Sequence, residues 1–169
     1  MVAMAALALR PMVRIAAQAR SSAHWRTAAE AELEAVLPAR APVENERIET
    51  EMHSATGITD GHHMIAAVVL ITAGYAANGK YSHYLLTQIP LRVGTDIALQ
   101  PGAYVVGWTR NEDGLLVHVY EAATGIEKGS AIARLYASPL QVVPVKIWPP
   151  SEKSVIQIGR FALPYTLQN

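Results

Sequence analysis

"HHMIAAVVLITAGYAANGKYSHY", residues 62–84, decides how the rest of the chain is read. It is apolar from Ile65 to Ile71 and, past Thr72, runs on through Ala73, Gly74, Tyr75, Ala76 and Ala77. About 13 residues matches the apolar core of a signal peptide and falls short of the roughly 20 that a helical membrane span needs. Gly74 and Ala76 are small residues at the spacing a signal peptidase accepts, so a cut is expected near Ala76 and Ala77. The front end departs from that pattern, because the nearest upstream Lys or Arg is Arg47 and His62-His63 replace it poorly. The expectation is an export signal over 64–77. It implies a periplasmic or secreted product without a stable transmembrane span in the mature chain.

Two other readings compete for the same residues. Gly74, Gly79 and Lys80 have the spacing of a phosphate-binding loop, which would make this a nucleotide-binding protein. Tyr81 stands where that loop needs a hydroxyl for magnesium, and Pro90 limits the helix that should follow. The run could also be a buried strand or helix of the main domain, although it is long for a strand and Gly74 weakens a helix.

Upstream, the composition changes. Residues 1–63 hold six Arg, no Lys and 15 Ala, whereas all four Lys lie at 80 or later and all seven Tyr at 75 or later. "MVAMAALALRPMVRIAAQARSSAHWR" carries Arg10, Arg14, Arg20 and Arg26 with no acid, as an organellar transit peptide does. The same enrichment would follow if the true start were Met64 or Met52. "TAAEAELEAVL" (27–37) reads as a short helix capped by Thr27 with Glu30 three residues on and stopped by Pro38. "PARAPVENERIETEMHSATGITDGHH" has no sustained period and reads as linker. The chain divides into a disordered or short-helical tail (1–63), the signal-like segment (64–77) and a β-domain (78–169).

Downstream the period is two. Tyr104, Val106 and Trp108 oppose Val105 and Gly107; Leu115, Val117 and Val119 oppose Leu116, His118 and Tyr120; Val143, Val145 and Ile147 oppose Pro144, Lys146 and Trp148. "SVIQIGRF" continues the habit. Such alternation marks half-buried antiparallel strands. "RNEDG", "AATGIEKG" and "PPSEK" separate them at hairpin distance, and Pro144 points to an edge strand. Six to eight short strands in about 92 residues predict an all-β, mostly antiparallel small sandwich or barrel.

"IPLRVGTDIALQPGAYVVGW" adds a strand, a tight turn at Gly94, and Leu99-x-Pro101-Gly102-x-Tyr104, with Pro-Gly suited to a type II turn. Over about 85–125 the chain resembles small, uncharacterised bacterial exported β-domain proteins with a Val-Gly…Leu-x-Pro-Gly-x-Tyr pattern. Gln100 replaces their more usual small residue. The resemblance implies a secreted β-domain and transfers no functional residue.

The charge balance, 14 basic against 14 acidic side chains, does not suggest nucleic acid as a partner, and the lack of cysteine excludes disulfides and thiolate chemistry. His53, His62 and His63 with Glu51 and Asp60 form a loose cluster that is expected to be solvated; no metal or cofactor is expected. Ser82 and His83 are neighbours, which strand alternation should turn apart. His118 lies between two valines. Trp108, Tyr120, Tyr136 and Trp148 are a possible ligand surface. The leading expectation is an exported, non-enzymatic domain that binds a protein or envelope partner. The alternative is a small exported enzyme using His83 or His118.

Overall fold

The computed structural model describes residues 24–137 and 141–168. The transit-like stretch with Arg10, Arg14 and Arg20 lies outside them. Among the described residues thirteen strands and one helix follow in order: β1 (Arg26–Thr27), α1 (Glu30–Val36), β2 (Arg40–Val43), β3 (Glu46–Thr59), β4 (Met64–Leu70), β5 (His83–Thr87), β6 (Leu91–Val93), β7 (Ile97–Leu99), β8 (Gly102–Asn111), β9 (Gly114–Glu121), β10 (Glu127–Leu135), β11 (Val143–Ile147), β12 (Val155–Gly159) and β13 (Phe161–Leu167). The main sheet runs β1-β3-β4-β5-β8-β9-β10-β13-β12-β11, every pairing antiparallel. It curls until β11 meets β3, where the Ile147 amide donates to Thr56 Oγ1 at 3.1 Å. Thr56 sits at a register shift in β3, which bends the strand towards closure. The expected all-β fold is therefore a nearly closed antiparallel barrel.

The period of two sorts side chains between two cores. Inside the barrel lie Ile58, Ile65, Leu85, Tyr104, Val117, Val119, Ile147 and Leu163, and the β6–β7 hairpin adds Leu91, Val93, Ile97 and Leu99. Outside, over β3, β4, β5 and β8, a second core of Leu33, Leu37, Val43, Ile48, Val68, Tyr84 and Val105 is covered by α1 and β2. The helix forms inside the expected span, but its cap shifts: Glu32 accepts the Ala29 amide at 2.8 Å, and Ala29 rather than Thr27 is the cap position.

This second core accounts for the apolar run. On β4, Ile65 and Ala67 face the interior while Met64, Ala66, Val68 and Leu70 face α1 and β2. A strand buried on both faces is continuous rather than alternating. Residues 64–70 thus form a strand paired on both sides, and the rest of the run is a loop with Ala77 buried and the Ala76 amide donating to Glu46 at 3.0 Å. Among the described residues the first strand is at Arg26, and the segment read as linker holds β2 and the 14-residue β3.

Smaller expectations also shift. "SVIQIGRF" is not one strand but β12, a tight turn with Gly159 at φ 59°, and the start of β13. Gly102 opens β8 without a positive φ, while the Tyr104 hydroxyl closes the turn by donating to the Gln100 carbonyl at 2.7 Å. Pro144 does lie on β11, whose only ladder partner among the described residues is β12.

Gly107 on β8 is required by a crossing loop. A Cβ there would stand 2.2 Å from the Lys80 carbonyl oxygen. Main-chain atoms cannot swing aside as a side chain can. Gly107→Ala is expected to destabilise the fold by about 1–3 kcal/mol, read from the midpoint of urea unfolding.

Candidate functional site

On β5 the residues His83, Leu85 and Thr87 point into the barrel and Tyr84 and Leu86 point out. His83 is therefore an interior side chain, only 6% exposed, with its ring 5.2 Å from that of Trp108. Nδ1 lies 2.8 Å from Ser82 Oγ, whereas Nε2 is buried without a hydrogen-bond partner. Burial disfavours the imidazolium and pulls the pKa down to about 4. Ser82 and His83 were expected to be turned apart, yet they meet. Ser82 enters just ahead of β5, where a short hydroxyl side chain can bond locally to its neighbour. No carboxylate is hydrogen-bonded to the His83 ring, so nothing orients it as the base of a catalytic triad.

His118, on β9, faces outward. Its Nδ1 is 2.7 Å from Glu127 Oε1, and its ring stacks on Tyr120 with centroids 6.1 Å apart. Tyr120 meets Tyr81 edge-on at 5.3 Å, and Lys80 Nζ stands 4.9 Å from both ring centres. Tyr81 donates its hydroxyl hydrogen to Glu44 at 3.1 Å. Lys80 thus lies on an outer wall of aromatics. The loop that carries Gly74 and Gly79 leads into strand β5, so it presents no helix N-terminus to a phosphate.

The four aromatics proposed as one surface are divided by the sheet. Trp108 packs against the interior core beside His83, and Tyr120 is on the outside. Only Tyr136 and Trp148 come together, and they do so through a lysine: Lys153 Nζ is 3.8 Å from the Trp148 ring centre and 6.0 Å from that of Tyr136. Lys146 Nζ approaches Trp148 to 3.6 Å. Among the described residues neither lysine has a carboxylate within ion-pair distance. The indole is held in place from below. Its Nε1–H donates to Gln157 Oε1 at 2.9 Å, and the fully buried Gln157 amide donates to the carbonyls of Gln141 and Gly159, both at 2.8 Å. Sequence reasoning missed both lysines and Gln157. The pairing of Lys146 with Trp148 was legible, since residues two apart on a strand share a face.

The loose histidine cluster resolves into two separate pairs, His53 with Glu51 at 3.2 Å and His63 with Asp60 at 3.1 Å. No group of three or more potential metal ligands forms among the described residues. None of the described helices is long and apolar enough to cross a membrane. The chain matches no family model, no curated protein and no solved structure.

Proposed function

We propose that this chain is a non-enzymatic binding domain whose Trp148–Tyr136 surface takes an acidic polysaccharide, as an envelope component would be. The observation that carries it is the pair of ammonium groups converging on one indole without a partner carboxylate. Both approach the same ring centre, so their like charges repel and an anion bound beside them relieves that repulsion. Trp148 and Tyr136 add ring faces and edges suited to sugar carbons, and the Gln157 anchor keeps the indole rigid, which lowers the entropy lost on binding.

The hydrogen bond between Ser82 and His83 speaks for the alternative of a small enzyme. Against it, the histidine in a concave setting lacks a carboxylate, and the histidine with a carboxylate sits on a convex wall.

The test is titration with polygalacturonate and with neutral dextran. Polygalacturonate is expected to bind, to weaken as NaCl is raised to about 0.5 M, and to lose about fivefold in affinity with either Lys146→Gln or Lys153→Gln. His83→Ala and His118→Ala should leave it unchanged. Equal binding of dextran, or indifference to both lysine changes, would overturn the proposal.

A further inference from the structure

The sheet is nearly closed, and the seam between β10 and β13 is where it opens. The two strands pair only at Arg134 with Ala162 and at Leu135 with Phe161. Just past them the Tyr136 amide donates to the Arg160 carbonyl at 3.0 Å. The same register carried the other way sets Ile132 against Pro164, which has no N–H to give. The Pro164 carbonyl is already taken by the Gly94 amide at 2.7 Å, and β13 then leaves to pair Tyr165 with Val93 of β6.

Main-chain groups along a strand point to alternate edges. Tyr136 and Arg134 face β13, so the next residues of the series, Ile132 and Ser130, present their amides and carbonyls to the same edge. Among the described residues no main-chain bond crosses the seam to either of them. Ala131 and Ala133 turn their main-chain groups to β9 instead. A groove of about 490 Å³ lies over the free edge, lined in part by Asp96, Ser130, Ile132, Arg134, Ala162 and Pro164. Beneath it the turn between β6 and β7 packs so closely that a Cβ on Gly94 would stand 2.9 Å from that of Ala131.

Charge narrows the occupant. Lys128 and Arg134 are exposed at the two ends of the free edge, and among the described residues neither has a carboxylate within ion-pair distance. Asp96, the one acid in the lining, accepts the Thr95 hydroxyl at 3.0 Å. Two copies joined antiparallel through Ser130 and Ile132 would bring Lys128 of each towards Arg134 of the other, and like charges opposed across strands are unfavourable. We propose that the free edge of β10 docks an extended acidic peptide segment of a partner protein, which adds to the sheet as a strand. Its main chain pairs with Ser130 and Ile132, its acidic side chains meet Lys128 and Arg134, and its apolar side chains turn towards Ala131 and Ala162. Trp148 and its lysines are not part of the groove, so this site is independent of the polysaccharide surface.

The experiment follows backbone amide exchange and NMR shifts of the full chain, alone and with the probe peptide acetyl-Glu-Val-Glu-Val-Glu-amide. In the free chain Ser130 and Ile132 are expected to exchange about a hundredfold faster than Ala131 and Ala133, and to become protected when the peptide binds. N-methylation of the peptide at each Glu, whose amides face β10, should weaken binding about tenfold or more, whereas N-methylation at each Val should be tolerated. Lys128→Gln or Arg134→Gln should each weaken it about threefold, and Asp96→Asn should strengthen it. Polygalacturonate should not displace the peptide. Slow exchange of Ser130 and Ile132 in the free monomer would mean that the chain covers its own edge, and protection that appears only with dimer formation would assign the edge to a second copy; either overturns the proposal. So does an absence of peptide binding, binding indifferent to N-methylation at Glu, or competition by polygalacturonate.

Discussion

A chain beginning at Asn78, as cleavage after Ala77 would leave it, is expected not to fold cooperatively. It lacks α1 and β1 to β4, and with them Trp25, Ile58, Ile65 and Ala67 from the barrel interior and Leu33, Leu37, Ile48 and Val68 from the outer core. β5 loses its β4 partner, and Tyr84 and Leu85, buried on its two faces, are uncovered together. Each large aliphatic side chain contributes about 1.5–3 kcal/mol when buried, so the loss of several exceeds the 5–15 kcal/mol that holds a typical domain together. Near-ultraviolet circular dichroism and urea unfolding of the two chains read the result. A truncated chain with a sharp transition at the parent's midpoint would support the reading of 64–77 as a removable leader.

Acidification is the second large effect. The folded pKa of His83, about 4, lies below its unfolded value of 6.5, so between these values the unfolded chain binds the extra proton. The stability tied to the neutral ring is fully present above about pH 6.5 and is lost as pH falls towards 4, on the order of 3 kcal/mol in all. The carboxylates held low act mostly below that window. Arg26 holds Glu32 at about 2, and at Asp60, also about 2, the upward push of burial is outweighed by hydrogen bonds from the amide and ring of His63 and from the His62 amide. His83→Leu should flatten the profile between pH 4 and 6.5 and, by removing an unsatisfied buried nitrogen, stabilise the chain by roughly 1–3 kcal/mol at pH 7. Urea unfolding across that range measures both. A His83→Leu chain that is less stable at pH 7 would mean that Nε2 is satisfied in the folded protein.

Several features of the fold were open to reading from the chain. Strands β8, β9 and β11 alternate cleanly because one face of each meets the barrel interior, and Asn111 shows why the β8–β9 turn was visible: its side-chain oxygen accepts the amides of Asp113 and Gly114, both at 3.0 Å. The β3 signal was present but faint. Ile48, Thr50 and Met52 alternate with Arg47, Glu49, Glu51 and His53, and only Ile48 among them is fully buried. The candidate sites were less legible, because a site is made by elements far apart in sequence. Trp148 and Tyr136 were singled out, but Lys153 reaches both only through the β11–β12 turn, and Gln157 was not singled out because the indole it anchors comes from the neighbouring strand's end.

By itself, the amino-acid order determined local geometry: the two-residue period of the later strands, the turns at Gly94, Gly114 and Gly125, the edge position of Pro144 and the short helix before Pro38. These depend on contacts a few residues apart, where sterics and a single buried face act directly. Only the tertiary structure decided which continuous apolar run is a strand. Met64–Leu70 is apolar on both sides because α1 and β2, themselves unremarkable in sequence, cover its outer face. The tertiary structure also turned His83 inward beside Trp108 and left Nε2 alone, for a side chain's hydrogen-bonding partners are set by what the closed barrel brings to it and by what it leaves out.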